Sequence, residues 1–380
     1  MKILFIHQYV GSILGGTERH IKELAYNFYK RGHQVEILTA KRKNIPLFKD
    51  EKIKITKLPT IPFNEEKYFK WLFKLFYHLK IRINSFIILS CFWILFKYFK
   101  GERWDIISVH WIDEAFLIRK LNRLLKYPYV FILEGYTYEE AEEAKLSSKC
   151  ITISNFIAEN CNKIHGYKPI VIPLGIDINK FYKYNNTNDI YSQLHINNSM
   201  AILSVGRLVE RKDYLYIIEA ADIVLKENTN VNFFIIGEGP DRIKLQKKID
   251  ELKINNKIYL LGNISDDDLP KYYNGCDIFL HYPYIQQFEI VNIEAMACGK
   301  PIIGSDSGAA REVLGDAAIL VQKRNIEELA NAILKLIEDK DLMIKLSENA
   351  LKRINNYYKW DYLIEKYENE YLNCIKSNCK

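Results

Sequence analysis

Several features that would fix a class at once are missing. The seven cysteines (91, 150, 161, 276, 298, 374 and 379) are scattered, and none forms a CxxC pair. That spacing excludes a recognisable structural zinc site or disulfide framework and suits reduced cytosolic thiols. No G-x-x-x-x-G-K-[ST] loop occurs, since Gly299-Lys300 is followed by Pro301. Gly237-Glu238-Gly239 starts a dinucleotide fingerprint, but position 242 is arginine, so a tight turn before a helix is the better reading. The longest mostly apolar run, Phe86–Phe96, has 11 residues. A bilayer span needs roughly 20. The opening MKILFIHQYV carries no small-residue cleavage pattern and reads as a first buried strand, not a secretory signal. The expected location is therefore cytoplasmic.

Acid is missing from one long segment. From Lys67 to Lys100 there are seven Lys or Arg and no Asp or Glu, interleaved with Trp71, Phe73, Phe76, Phe92, Trp93 and Phe96. The chain holds 54 basic and 47 acidic side chains, a net +7, so this segment alone accounts for the excess. A local patch of this kind gives no reason to expect a nucleic-acid partner. It reads either as two helices packed on a sheet with solvated lysines, breaking near Asn84, or as a peripheral contact with anionic membrane on its inner face.

What is present is ordinary globular material, 48% hydrophobic and 27% charged over 380 residues. That suffices for two cores. Strand-like runs fall at 1–7, 34–39, 53–58, 105–109, 129–133, 150–153 and 170–172. They recur at 201–205, 232–236, 258–261, 278–281 and 301–304. Helical patterns fit 15–31, 214–226, 242–252, 269–273, 290–297 and 326–339. Strands alternating with helices imply parallel βαβ units, here as two doubly wound α/β halves with a hinge near 173–181. Ligands of open α/β sheets bind beyond the carboxyl ends of the strands, so the cleft between two such halves is the expected site.

Residues just after strands then carry most weight. Arg207 and Lys212, in Gly206-RLVERK, follow the 201–205 strand; a planar fork beside a point charge suits a diphosphate, although surface cations are often merely solvated. Gly15 and Gly16 lie between the first strand and first helix, where amides can approach a phosphate or glycine can serve packing alone. His110 follows the 105–109 strand, and could be structural or face a ligand. Asp266–Asp268 resembles a metal-binding run, but Ser265 capping a helix with three acids at its positive end explains it without a metal.

Taken in order, the segments GGTE from Gly15, DIISVH from Asp105, IPLGID from Ile172, VGRLVERK from Val205, IGEGP from Ile236, LGNIS from Leu261 and EAMACGKPII from Glu294 resemble the GT-B retaining glycosyltransferases of group 1, family 4. The likeness covers nearly the whole chain. It implies a GT-B fold of two Rossmann-like domains: residues 1–178 for the acceptor and 179–380 for the nucleotide sugar, with a last helix over about 358–376 returning to the first. It implies a UDP- or GDP-sugar donor, a glycan or lipid-linked acceptor in polysaccharide or glycoconjugate biosynthesis, no cofactor and no metal. By the same likeness Arg207 and Lys212 hold the donor diphosphate, Gly15 and Gly16 approach it, His110 lies beside the donor sugar, and Glu294 grips the ribose.

The likeness breaks at one place. Where that family carries a glutamate, this chain has Gln286; where it carries glycines, this chain has Gln287 and Glu289. An amide at 286 can hold sugar hydroxyls but supplies no charge. Three readings stay open: an altered donor preference, replacement of the missing charge by Glu289, or weak activity. A sugar-nucleotide epimerase and a catalytically silent partner protein are the competing functions. Glu134, after the 129–133 strand, is a candidate for acceptor choice or for a structural role.

Overall fold

The computed structural model describes residues 1–10, 15–41, 53–60, 85–184 and 199–378. These form two compact units, Met1–Gly175 with Trp360–Lys380, and Ile176–Lys359.

The first unit is built on a seven-stranded parallel sheet: β1 (Lys2–Ile6), β2 (Gln34–Ala40), β3 (Lys54–Leu58), β4 (Ile106–Val109), β5 (Tyr129–Leu133), β6 (Lys149–Thr152) and β7 (Ile170–Val171). Their order across the sheet is 3-2-1-4-5-6-7. Every residue of β4 and β5 is buried. Strands covered on both faces read as unbroken apolar runs, which is why they are visible in the sequence. Helix α1 (Gly16–Lys30) buries Ile21, Leu24, Ala25 and Phe28, one stripe at helical spacing. In the described part of the basic segment, helix α2 spans Ser85–Phe99; residues 67–84, and with them the expected break near Asn84, lie outside the described residues. Helices α3 (Ile112–Leu125), α4 (Tyr138–Leu146) and α5 (Asn155–His165) complete the crossovers. Among the described residues no helix is long and apolar enough to cross a membrane.

The second unit has a six-stranded parallel sheet: β8 (Met200–Val205), β9 (Val231–Ile236), β10 (Ile258–Gly262), β11 (Ile278–His281), β12 (Ile302–Ser305) and β13 (Ala318–Val321). Their order, β10-β9-β8-β11-β12-β13, repeats the doubly wound pattern, with its direction reversing between β8 and β11. Helices α6 (Tyr214–Glu227), α7 (Arg242–Leu252), α8 (Leu269–Gly275), α9 (Ile290–Ala297), α10 (Ala310–Leu314), α11 (Ile326–Glu338) and α12 (Lys340–Arg353) surround it. The core joins Ile202, Ile218 and Val224 to Ile235, Leu280, Ile303 and Ile333. Helix α13 (Trp360–Asn378) belongs to the first unit, where Trp360, Leu363, Tyr367 and Tyr371 pack with Phe28, Ile132 and Ile172.

Ser265 does not cap a helix directly. Its hydroxyl accepts the Asp268 amide at 3.1 Å and closes a turn through the three aspartates. Helix α8 starts after Asp268, with Pro270 in its first turn. Asp266 and Asp268 pair with Lys180 and Lys271 respectively, so local cations balance two of the three acids in this run.

Candidate active site

In the second unit the switch point between β8 and β11 puts two loops side by side. Ser204 of β8 donates to the Leu280 carbonyl of β11 at 2.6 Å. Beyond the strands, the Tyr284 amide donates to the Arg211 carbonyl at 3.0 Å and ties the loop after β11 to the 3-10 turn Glu210–Lys212. Loops at such a reversal are where doubly wound sheets take ligands.

These loops carry the predicted residues. Arg207 is exposed, with no hydrogen-bond or ion-pair partner for its guanidinium among the described residues. Lys212 is only 6% exposed, and its ammonium pairs with Glu289. Arg211 Nη1 lies 3.7 Å from the same carboxylate, and His281 Nε2 lies 3.5 Å from it. Burial opposes the charge of Glu289, but Lys212 and His281 hold its carboxyl well below the usual carboxylate range. Burial pulls Lys212 below the ordinary lysine value while Glu289 pulls it back. Burial and the nearby Lys212 push His281 down, leaving a neutral ring.

Glu289 immediately precedes α9 with φ 65° and ψ 91°, a backbone region that disfavours side chains. Gln286 is fully buried, and neither of its amide atoms has a hydrogen-bond partner among the described residues. Its main chain, in contrast, is held: its carbonyl accepts the Ala309 amide at 2.7 Å. Gly308 permits this approach, since a Cβ there would stand 2.0 Å from the Gln286 oxygen. Glu294, inside α9, is buried and accepts the Tyr273 hydroxyl at 2.8 Å. Asn292, two residues earlier, is also fully buried, and neither of its amide atoms has a hydrogen-bond partner among the described residues. Unpaired buried polar groups are costly, and two amides of this kind around one helix start mark a place prepared for polar contacts.

In the first unit the reversal lies between β1 and β4, and a second polar cluster sits beyond those strands. Gly15 caps α1 and Gly16 is its first residue. The Glu18 carboxylate packs onto Gly15, where a Cβ would stand 2.2 Å from Oε2. His7, directly after β1, is fully buried, with Nδ1 3.2 Å from Glu114 and Nε2 3.4 Å from Glu18. Burial opposes its charge, but Glu114 and Glu18 outweigh it and raise His7 to about 9. His110 is buried as well; Nε2 lies 3.4 Å from Ser108 Oγ and Nδ1 3.8 Å from Glu134. Burial pushes His110 down to about 4. Glu134 also lies 3.0 Å from His20 Nδ1 and accepts from Thr17.

His20, His110 and Glu134 present ligand atoms within 4.8 Å of one another, a donor set that fits a small divalent cation. The same atoms also make a self-consistent hydrogen-bonded cluster, with Tyr367 OH 3.3 Å from His20 Nε2.

Sequence reasoning thus located the strand-end residues and missed His7, His20, His281, Asn292 and Tyr273. For His7 and His281 a signal existed, since each directly follows or ends a buried strand. For Asn292 and Tyr273 there was none.

Residues 186–353 match the family described as glycosyl transferases group 1, and residues 14–180 the family described as Glycosyltransferase Family 4. An uncharacterized glycosyltransferase of Methanocaldococcus jannaschii is 25% identical, covering 98% of each chain. The UDP-Gal:alpha-D-GlcNAc-diphosphoundecaprenol alpha-1,3-galactosyltransferase of Escherichia coli is 25% identical over 74% of this chain and 78% of its own. Among solved structures, Anabaena HepE in complex with UDP and glucose superposes with a TM-score of 0.80 at 20% identity, covering 97% of this chain and 98% of that one. That likeness extends to the fold, two parallel-sheet Rossmann-like domains of the GT-B type.

Proposed function

Because this chain belongs to the group 1 glycosyltransferases, with a family 4 first half, we propose that it moves a hexose from a UDP- or GDP-sugar to a glycan or lipid-linked acceptor with retention of anomeric configuration. The observation that carries the donor assignment is the pair Arg207 and Lys212 at the β8–β11 switch point, beside the loop that carries Gln286. The acceptor class is supported by the E. coli relative, whose name specifies a diphosphoundecaprenol-linked sugar.

In this reading the bond from the sugar C1 to the diphosphate oxygen breaks, and the acceptor oxygen bonds to C1 on the same face. The acceptor's proton passes to the departing diphosphate. Negative charge accumulates on that diphosphate, and Arg207 and Lys212 stabilise it where it develops. Two protein cations supply what a divalent ion supplies elsewhere, so the reaction is proposed to need neither metal nor cofactor. Glu294 is assigned to the ribose hydroxyls, Asn292 and Gln286 to further hydroxyls of the donor. On the first unit, the Gly15 and Gly16 amides at the N-terminus of α1 are the proposed anion contact, His110 the proposed sugar contact and Glu134 a candidate for acceptor choice.

A peripheral place on an anionic cytoplasmic membrane surface is part of the proposal. Helix α2 exposes Phe92, Phe96 and Phe99, spaced along one side, with Lys97 and Lys100 lying over neighbouring aromatic rings. Aromatic side chains with lysines alongside suit the headgroup layer.

Calorimetry with UDP and GDP tests the core of this reading. Arg207→Ala and Lys212→Ala are each expected to weaken the preferred diphosphate by about 10- to 100-fold, the loss of one charged hydrogen bond. Unaltered affinity in both removes the diphosphate assignment. Release of an epimerised sugar without acceptor would favour an epimerase; binding without turnover across donors and acceptors would favour a silent partner protein.

A further inference from the structure

The cation assigned to the donor's diphosphate already has an anion. Lys212 and Glu289 are both largely buried, at 6% and 13% side-chain exposure, and their charged ends are in contact. We propose that Glu289 is a resident counter-ion of Lys212 with which a nucleoside diphosphate must compete, so that this carboxylate weakens diphosphate binding and speeds its release. The inference rests on the donor reading above and adds a residue that sets how tightly that site holds donor and product.

Three observations point the same way. Glu289 keeps a side chain at φ 65°, where glycine is at ease and other residues are strained. A surrounding structure that imposes such a conformation on a glutamate must hold it firmly. The carboxylate is buried, and a buried charge persists only when paired. Among the described residues its ion-pair neighbours are cations or a potential cation: Lys212, Arg211 at 3.7 Å and His281 at 3.5 Å. The Tyr214 hydroxyl of α6, which also faces Glu289, is buried and has no hydrogen-bond partner among the described residues.

The charge count explains the effect. Arg207, Arg211 and Lys212 bring three positive charges to this corner, and Glu289 cancels one of them. A diphosphate arriving at Lys212 meets an ammonium already in contact with a carboxylate. Either Lys212 divides its three N–H donors between the two anions, or Glu289 turns to His281, whose Nε2 has no hydrogen-bond partner among the described residues. Both outcomes lower affinity relative to an unopposed lysine. Faster departure of the nucleoside diphosphate then raises turnover wherever product release is slow.

Glu289→Gln keeps the shape and removes the charge; Glu289→Gly removes charge and backbone strain together. With UDP and GDP as probes, titration calorimetry and stopped-flow dissociation are expected to show a Kd lowered roughly ten-fold in both variants, mainly through slower release. Turnover under saturating donor is expected to fall or stay level while KM falls. A merely structural glutamate would give the opposite, weaker binding on removal. Unchanged or weakened binding in a folded Glu289→Gln or Glu289→Gly protein overturns the proposal. Lys212→Ala, measured alongside, separates the two readings. If it weakens diphosphate binding while both Glu289 variants do not tighten it, the counter-ion role fails and the donor assignment stands. If Lys212→Ala leaves binding unchanged, Lys212 does not hold the diphosphate and the counter-ion role fails with that contact; the donor assignment itself falls only if Arg207→Ala is silent as well.

Discussion

Replacing His7 with glutamine is expected to remove most of the protein's loss of stability between neutral and alkaline pH. His7 is wholly buried between Glu114 and Glu18, which raise it to about 9 against burial. In the unfolded chain a histidine releases its proton near 6.5. Between those two values the folded protein binds a proton that the unfolded chain has lost, so stability falls as pH rises. The contribution is complete below about 6.5 and gone above about 9. The gap corresponds to a ceiling of about 3 kcal/mol. His110 works in the opposite direction. Burial pushes it down to about 4, so the unfolded chain binds the extra proton, and stability falls as pH drops from about 6.5 toward 4. Wild-type stability should peak near neutral pH. The assay is urea unfolding from pH 5 to 9.5, followed by tryptophan fluorescence; Trp111 lies edge-on to His7 with ring centroids 5.0 Å apart and reports on this cluster. His7→Gln should lower stability at pH 6.5 and flatten the curve above it. If wild type and variant fall in parallel from 6.5 to 9, His7 is not a buried cation and the account of this cluster is wrong.

Gln286→Met should raise the thermal midpoint, because it removes two buried unpaired polar atoms worth about 1–3 kcal/mol, while lowering transfer activity; a variant that melts earlier with unchanged turnover would refute both halves. Gly237→Ala should cost several kcal/mol and weaken UDP or GDP binding. Gly237 has φ 140°, and a Cβ there would stand 2.0 Å from the Gly206 carbonyl and push the turn that carries Arg207; wild-type melting would contradict this. Vesicles of anionic lipid should float the wild-type protein at low salt, and a Phe92→Ser, Phe96→Ser, Phe99→Ser triple variant should stay at the bottom of the gradient. Failure of the wild type to float sinks the membrane proposal.

The strands most legible in the sequence are those buried on both faces. Tyr129–Leu133 and Ile278–His281 have the bounds expected from their apolar runs, as do helices Arg242–Leu252 and Ile290–Ala297. Elements without a clean pattern escaped. Helix α4 buries only Ala141, Glu143 and Ala144, so its sequence shows no apolar stripe. Strand β13 is mostly half-buried, with Val321 alone fully inside. Helix α12 likewise buries just Leu346, Ser347 and Ala350. What the sequence conveys about the site is similarly divided. The position of Lys212 after a buried strand marks it as a cation near a strand end, and nothing more. Its partner lies 77 positions away, brought near because β8 and β11 are neighbours at the point where strand order reverses. The charge of His7 has the same origin, since Glu114 stands beyond β4, the neighbour of β1 across the other reversal. In a doubly wound sheet the strands flanking a switch point are far apart in the chain, so pairings there are invisible to local pattern. Residue identity even argues against the Lys212–Glu289 pair, because a glutamate is a poor choice for a positive φ. That conflict between local preference and observed backbone is a reason to assign Glu289 a task in the site. A residue there for folding alone would more simply be glycine.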